Sequence, residues 1–295
     1  MTTTRAALRT LTAARVWARE KLAAAGIPDP LTNAERMLEC LLDLSRVELY
    51  LFRQQGLTES QQTQLDQWVQ ERFSGKPLQY LLGHTGFYGL DILVEEGVFI
   101  PRPETERLVE EVIRSVSESP VPSHPLRILD IGTGSGAIAV ALSVNLSGTE
   151  IVATDVSEPA LLLARKNATR NGVADRVRFA LVDLFPATRE AFDVIVSNPP
   201  YISSSTIPNL MPEVRDFEPH EALDGGPDGL NFHRRIIEEA KDLLTPEGLV
   251  ALEVGEGQAE MVAAIMQKTG YQDNRIEKDL CGVGRVVIAR KGSHG

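Results

Sequence analysis

Apolar residues recur at helical spacing through the first eighty positions. Leu8, Leu11, Val16 and Leu22, with alanines between them, trace one helical face, and Gly26-Ile27-Pro28-Asp29-Pro30 stops it. A second face runs through Ala34, Met37, Leu38, Leu41, Leu42 and Leu44, and a third segment carries Leu49, Tyr50, Leu51 and Phe52. Thr58 is placed to cap a further helix through Leu65, Trp68, Val69 and Phe73, which Gly75 ends. Short connections between these elements predict a small helical bundle. After Pro77 the pattern changes. Between Thr85 and Ile100, Gly86, Gly89 and Gly97 interrupt aromatic and branched residues, which predicts a β-hairpin or paired strands. Pro101 and Pro103 bracket Arg102 ahead of a helix at Leu108, and Ser119 to Pro125 is a Pro/Ser loop.

From Leu126 the chain alternates. Strand patterns lie at 126–131, 150–154, 177–182, 192–196 and 249–254, and helical faces at 137–145, 159–171, 230–244 and 258–268. Such alternation predicts a mostly parallel sheet with helices on both faces, an α/β class. Val283 to Ala289 adds a last strand, read as an antiparallel partner.

Composition changes little in this picture. The 295 residues, 43% hydrophobic and 24% charged, suit an ordinary globular chain of two domains. Cys40 and Cys281 are the only cysteines and lie far apart, so free thiols in a reducing compartment are expected, with a cytoplasmic location. No apolar run approaches the ~20 residues that span a bilayer. Arg5, Arg9, Arg15 and Arg19, with no acid among them, mimic a transit peptide. The segment continues into a terminated helix, however, and reads as the first helix of the fold. Gly292 to Gly295 stand outside the fold pattern. The net charge of −11 is uneven: residues 1–80 carry +1 and the remainder −12. A −12 region is a poor footprint for nucleic acid, which is gripped by Lys and Arg at phosphates.

The candidate chemistry begins at Leu129-Asp130-Ile131-Gly132-Thr133-Gly134-Ser135-Gly136, between the first long strand and its helix. Glycines let backbone turn sharply and approach a ligand, and the helix start offers free N–H groups. Asp155, ending the next strand, can accept both ribose hydroxyls of a nucleoside cofactor. Gly132, Gly134 and Ala137 also satisfy G-x-G-x-x-A, a dinucleotide fingerprint. Asp130 tips the reading towards S-adenosyl-L-methionine, because an acid there attracts an ammonium group and repels a pyrophosphate.

Asn198-Pro199-Pro200-Tyr201 follows the strand at 192–196, at the same sheet edge. Two prolines remove two backbone donors, leaving carbonyls without local partners. The Asn198 side-chain oxygen is a further acceptor, and Tyr201 supplies a flat face. Two acceptors and an aromatic wall describe a receptor for a planar –NH₂ group. Holding its hydrogens out of plane localises the nitrogen lone pair towards an electrophile and stabilises the positive charge that develops.

At this point the chain resembles the HemK/PrmC family of protein-(glutamine-N5) methyltransferases, the release factor glutamine methyltransferases. The matching stretches are Gly75-Lys76-Pro77-Leu78-Gln79-Tyr80, Gly86-Phe87-Tyr88-Gly89, Phe99-Ile100-Pro101-Arg102-Pro103-Glu104-Thr105-Glu106, the glycine loop, Ser197-Asn198-Pro199-Pro200-Tyr201-Ile202, Glu218-Pro219 and Ala222-Leu223-Asp224-Gly225-Gly226. The resemblance implies a Rossmann-like class I methyltransferase domain with a mostly parallel seven-stranded sheet at 101–295. A helical substrate-docking domain at 1–80 and a β-hairpin linker at 81–100 would precede it.

The implied reaction moves a methyl group from S-adenosyl-L-methionine, leaving S-adenosyl-L-homocysteine, to the glutamine amide of the Gly-Gly-Gln loop in class 1 peptide chain release factors. No metal, membrane or direct nucleic-acid partner is implied, and a monomer is expected. By the same resemblance Gly132, Thr133, Gly134, Ser135 and Gly136 hold the methionine part, Asp155 the ribose, and Asp183 and Leu184 border the adenine. Asn198 touches cofactor and glutamine, and Asn198, Pro199, Pro200 and Tyr201 form the substrate clamp. Some members carry an aromatic residue where Leu184 stands. Arg102 and Thr105 are expected near the cofactor.

Other features are set aside. The five histidines show no metal-ligand spacing. Ser203-Ser204-Ser205 lacks a nucleophile elbow and reads as a polar loop. Gly225 to Gly229 is a turn cluster or a lid over substrate, and Trp17 and Trp68 read as core. The competing readings are an amino-group methyltransferase acting on adenine or guanine in nucleic acid, and a helical docking module beside an inert cofactor sensor.

Overall fold

A computed structural model describes residues 10–119, 124–187 and 190–292. Leu8 of the first expected helix, positions 120–123 of the Pro/Ser loop and residues 293–295 lie outside the described residues. The chain divides into two compact units, one of residues 1–83 with 212–217, the other of 84–211 with 218–295.

The first unit contains α1 (Leu11–Ala24), α2 (Pro30–Leu42), α3 (Arg46–Leu51), α4 (Glu59–Phe73) and α5 (Leu78–Leu82). Local chemistry sets their starts. Thr10 caps α1 at Ala13, Pro30 opens α2 where no N–H is needed, and Thr58 and Gln61 form a reciprocal capping box at α4. Leu11, Ala18, Leu22, Met37, Leu38, Leu65 and Val69 meet in one apolar core, with Trp17 and Trp68 packed against it. Buried Arg72 donates to Asn33 Oδ1 at 3.1 Å and to the Lys76 carbonyl at 3.0 Å, and it pairs with Glu213. That ion pair joins positions 212–217 to this unit. α5 was not foreseen, because five residues are too short to show a helical period.

The second unit opens with a hairpin, β1 (His84–Phe87) and β2 (Leu90–Leu93). Its two-residue turn places Tyr88 and Gly89 at φ 49° and 74°, the left-handed pair that twists two strands together. Phe87 and Ile92 are buried in the core below. Then follow α6 (Glu106–Ser117), β3 (Leu126–Ile131), α7 (Ala137–Asn145), β4 (Thr149–Asp155), α8 (Glu158–Arg170), β5 (Val177–Leu181) and β6 (Phe192–Ser197). The turn α9 (Pro212–Arg215), α10 (Asn231–Leu243), β7 (Leu244–Glu253), α11 (Ala259–Thr269), β8 (Tyr271–Lys278) and β9 (Gly284–Lys291) complete the chain.

The seven-stranded sheet has the order β5-β4-β3-β6-β7-β9-β8. Pairings from β5 to β7 are parallel, and β9 runs antiparallel to both neighbours, as expected of the last strand. Successive residues of one strand feed opposite faces: Ile128 and Val194 enter one apolar cluster, Leu129 and Ile195 the other. The result is a Rossmann-like α/β layer structure. β8 was missed because its sequence is largely polar and its side chains are mostly exposed or half-exposed. β7 starts five residues before its expected limit. Leu244 pairs with Phe192, and pairing resumes only at Leu249. Strand order reverses at β3 and β6, which opens the sheet's carboxyl edge to a ligand. Among the described residues no helix is long and apolar enough to cross a membrane.

Candidate active site

Both sequence motifs leave the sheet at this reversal. The Ser197 hydroxyl donates to the Ile131 carbonyl at 2.7 Å and pins the end of β6 to the end of β3. Gly132 and Asn198 therefore start side by side, although they are far apart in sequence.

In the glycine loop, Gly132, Gly134 and Gly136 have φ of 68°, 55° and 81°. The first two face open space, so a side chain there would fill the hollow in front of the loop. Gly136 differs: a Cβ on it would lie 2.9 Å from that of Ala164. Its glycine allows α7 to close against α8. Thr133 and Ser135 are buried, so their side chains serve the loop from within. The Thr133 hydroxyl donates to Asp130 Oδ2 at 2.6 Å, and the Ser135 carbonyl accepts from Asn167 Nδ2 at 2.8 Å. Asn167 also closes both backbone hydrogen bonds of Leu93, at 2.7 and 3.0 Å, and so ties the hairpin to the loop.

Asp155 accepts from the Gly134 N–H at 2.8 Å and the Ser157 N–H at 2.9 Å, one on each oxygen. With backbone donors on both oxygens, the carboxylate still has acceptor capacity for a ribose hydroxyl. Burial raises its pKa, and the backbone donors oppose that rise. Asp130 is fully buried, and burial pushes its carboxyl up to about 7. Its Oδ1 has no hydrogen-bond partner among the described residues. A cation above the loop would favour the charged form of Asp130 and be attracted by it in turn. The hollow at Gly132 and Gly134, the orphaned acid and the oriented Asp155 fit S-adenosylmethionine. Asp183 pairs at the surface with Arg235 at 2.7 Å. Leu184 is buried at φ 61°, with its carbonyl accepting from Thr154 Oγ1 at 2.7 Å.

The segment 198–201 is held by residues distant in sequence. Asn198 Nδ2 donates to Thr105 Oγ1 at 3.0 Å, and its Oδ1 has no partner among the described residues. The Pro199 carbonyl likewise accepts nothing there. Thr105 is buried and ends the one-turn 3₁₀ helix Pro103–Thr105. Arg102 pairs with buried Glu218, whose other oxygen accepts from the Ile100 N–H at 3.3 Å. The Tyr201 hydroxyl donates to Glu253 Oε1 at 3.3 Å, and the Tyr201 carbonyl accepts from Gln258 Nε2 at 2.9 Å. Burial and the Glu253 charge raise the Tyr201 pKa, so the phenol keeps its proton.

The turn cluster packs on this backbone. A Cβ on Gly225 would sit 2.7 Å from the Pro200 carbonyl oxygen, and one on Gly229 2.3 Å from that of Tyr201. These glycines let the turn cluster pack closely on the Pro200 and Tyr201 carbonyls. Ser203 bonds Thr206 at 2.7 Å within its own loop.

Sequence reasoning missed Asn167, Glu253 and Gln258. Two left a signal of the kind that singled out Asp130. Asn167 interrupts the apolar stripe Ala160, Leu163, Ala164 and Ala168, and Glu253 ends an otherwise apolar strand. His233 is buried, with Nε2 2.8 Å from the Glu253 carbonyl, and burial lowers its pKa. Among the described residues, no three His, Cys, Asp or Glu gather in a way that could hold a metal ion.

Residues 13–83 match the family described as PrmC N-terminal domain, and residues 113–212 the one described as Methyltransferase small domain. The chain is 41% identical over 277 residues to the release factor glutamine methyltransferase of Geobacter sulfurreducens, covering 94% of this chain and 95% of that one. It is 38% identical over 262 residues to the protein of that name from Thermodesulfovibrio yellowstonii, covering 88% and 92%. In fold it is similar to the crystal structure of a methyltransferase from Pyrococcus furiosus, with a TM-score of 0.51 and 24% identity over 70% of this chain and 91% of that one.

Proposed function

The chain belongs to the release factor glutamine methyltransferase family, and from that premise we propose that this sheet edge methylates the glutamine of the Gly-Gly-Gln loop in class 1 peptide chain release factors, on the side-chain amide nitrogen. The observation that carries the reading is the pair of uncommitted acceptors, Asn198 Oδ1 and the Pro199 carbonyl, beside a loop shaped for a nucleoside cofactor. S-adenosylmethionine, when bound, supplies an electrophilic methyl group.

The chain's own residues do the rest. Gly132 to Gly136 and Asp155 hold the cofactor, with the Asp130 charge beneath. Asp183 and Leu184 border the adenine end. Two acceptors take the two amide hydrogens of the glutamine, and Tyr201 walls the amide plane. A planar amide nitrogen is a poor nucleophile because its lone pair is delocalised. Acceptors placed out of that plane favour the tetrahedral nitrogen of the transition state and stabilise its positive charge. Fixed alignment supplies much of the rate. The nitrogen loses its proton after transfer, so the reaction requires no separate general base.

The first unit supports a docking role. Val47 and Leu51 on α3 are 68% and 70% exposed, with Tyr50 and Phe52 beside them. An apolar patch of this kind on a small helical unit fits a protein partner. We expect Val47→Asp with Leu51→Asp to raise KM for whole release factor severalfold, and to leave KM for a short Gly-Gly-Gln peptide unchanged. Equal changes for both substrates would count against docking at α3.

The reaction itself is tested with labelled cofactor and unmodified release factor, followed by mass spectrometry of the Gly-Gly-Gln peptide. One added methyl on that glutamine, absent when Gln is replaced, is the expected result. Transfer to another residue, or none despite cofactor binding, would overturn the reading.

A further inference from the structure

Glu253 closes β7 with its side chain fully buried, on the inner side of the clamp. Three polar groups converge there. Asn198 Nδ2 donates to Thr105 Oγ1 at 3.0 Å. The Thr105 hydroxyl lies beside the Glu253 carboxyl, where it favours the charged form. The Tyr201 hydroxyl donates to Glu253 Oε1 at 3.3 Å. Glu253 Oε2 is buried and has no hydrogen-bond partner among the described residues, which leaves it open to the hydroxyl hydrogen of Thr105.

We propose that Glu253 is the positioning residue that sets the polarity of the clamp, acting through Thr105 to turn the Asn198 amide nitrogen inward and its oxygen towards the substrate. The inference rests on the clamp reading above.

A carboxylate only accepts hydrogen bonds. While Glu253 is charged it can only accept, so a Thr105 hydroxyl turned to it donates its hydrogen there, leaves its oxygen to accept, and selects the nitrogen of Asn198. An asparagine amide has nearly the same shape either way round, so sterics cannot choose its orientation. The hydrogen-bond chain chooses. A protonated Glu253 can donate to Thr105, whose hydrogen then turns to Asn198. The reversed amide would present hydrogens to a glutamine amide that brings hydrogens of its own, and the clamp would fail.

The groups around the carboxyl set when this happens. Burial pushes Glu253 up to about 7, helped by the charge of Glu104 and opposed by Thr105, Arg285 and Tyr201. Arg285 is itself paired with Asp279 at 3.1 Å. His233 meets only the Glu253 backbone, and Arg102 acts on Tyr201. The sign follows from the raised value. The charge, and with it the productive amide orientation, is lost as pH falls through about 7.

The test is kcat measured between about pH 6 and about pH 9 at saturating cofactor and substrate. Saturation removes any contribution from Asp130 to cofactor affinity. Wild type is expected to lose rate below about pH 7, approaching tenfold per pH unit. Glu253→Gln, nearly isosteric but without a titrating proton, is expected to lose that acid limb, with cofactor Kd by calorimetry unchanged. Thr105→Val should lose the limb as well, and Thr105→Ser should keep it. This pair decides the question if Glu253→Gln fails to fold. A wild-type pH profile in Glu253→Gln or Thr105→Val overturns the proposal. Asn198→Ala, run alongside, separates the two readings: full turnover there removes the clamp itself, whereas loss of turnover with an unaltered Glu253→Gln profile removes only the role of Glu253.

Discussion

Asn198→Ala is expected to lower kcat by roughly 10²–10³, the usual loss for one preorganised group that acts in the transition state. The substitution removes Oδ1, the proposed side-chain acceptor for the glutamine amide, and leaves Thr105 without its donor. The Pro199 carbonyl remains, so one amide hydrogen of the glutamine is still held. The nitrogen then keeps more of its planar character, and its developing charge is half stabilised. KM should move much less than kcat, because the missing interaction strengthens only as the nitrogen becomes tetrahedral. Steady-state kinetics with whole release factor check this. A kcat within a few-fold of wild type would show that Asn198 is scaffold and not clamp.

Asp155→Ala is expected to raise the cofactor Kd by roughly a hundredfold or more. Hydrogen bonds to a charged group contribute about 1.5–3 kcal/mol each, and Asp155 is placed to take two ribose hydroxyls. It also orders the loop. Its two oxygens hold the N–H groups of Gly134 and Ser157 at 2.8 and 2.9 Å, which links the glycine turn to the start of α8. Removing the carboxylate frees a glycine-rich turn whose backbone must be fixed for binding, and that entropy adds to the loss. kcat at saturating cofactor should fall far less than binding. Titration calorimetry is the direct measurement, and an unchanged Kd would move the ribose elsewhere.

Most of the architecture was readable because its causes are local. The helix cap at Thr58, the span Ala137–Asn145 and the alternating strands each depend on residues within a few positions of one another. α5 and β8 were not readable for the complementary reason. One is too short to show a period, and the other carries polar residues at a sheet edge where either face can be wet.

The site divides along the same line. The glycine loop and Asn198 to Tyr201 are contiguous, and their chemistry follows from residue type: positive φ for glycine, missing donors for proline, an acceptor for asparagine. What they touch is not contiguous. Thr105 meets Asn198 across 93 residues, Tyr201 meets Glu253 across 52, and Asn167 reaches back 74 residues to Leu93. The sequence by itself determined that the two motifs end strands at one edge of a mostly parallel sheet. Only the tertiary structure decided that those strands are neighbours, that Asn198 Nδ2 meets Thr105, that Gly136 packs a helix while Gly132 and Gly134 face open space, and that Gly225 and Gly229 pack on the Pro200 and Tyr201 carbonyls. Those choices depend on hydrogen-bond partners and close contacts brought together by packing, and a linear pattern holds no record of distance between elements.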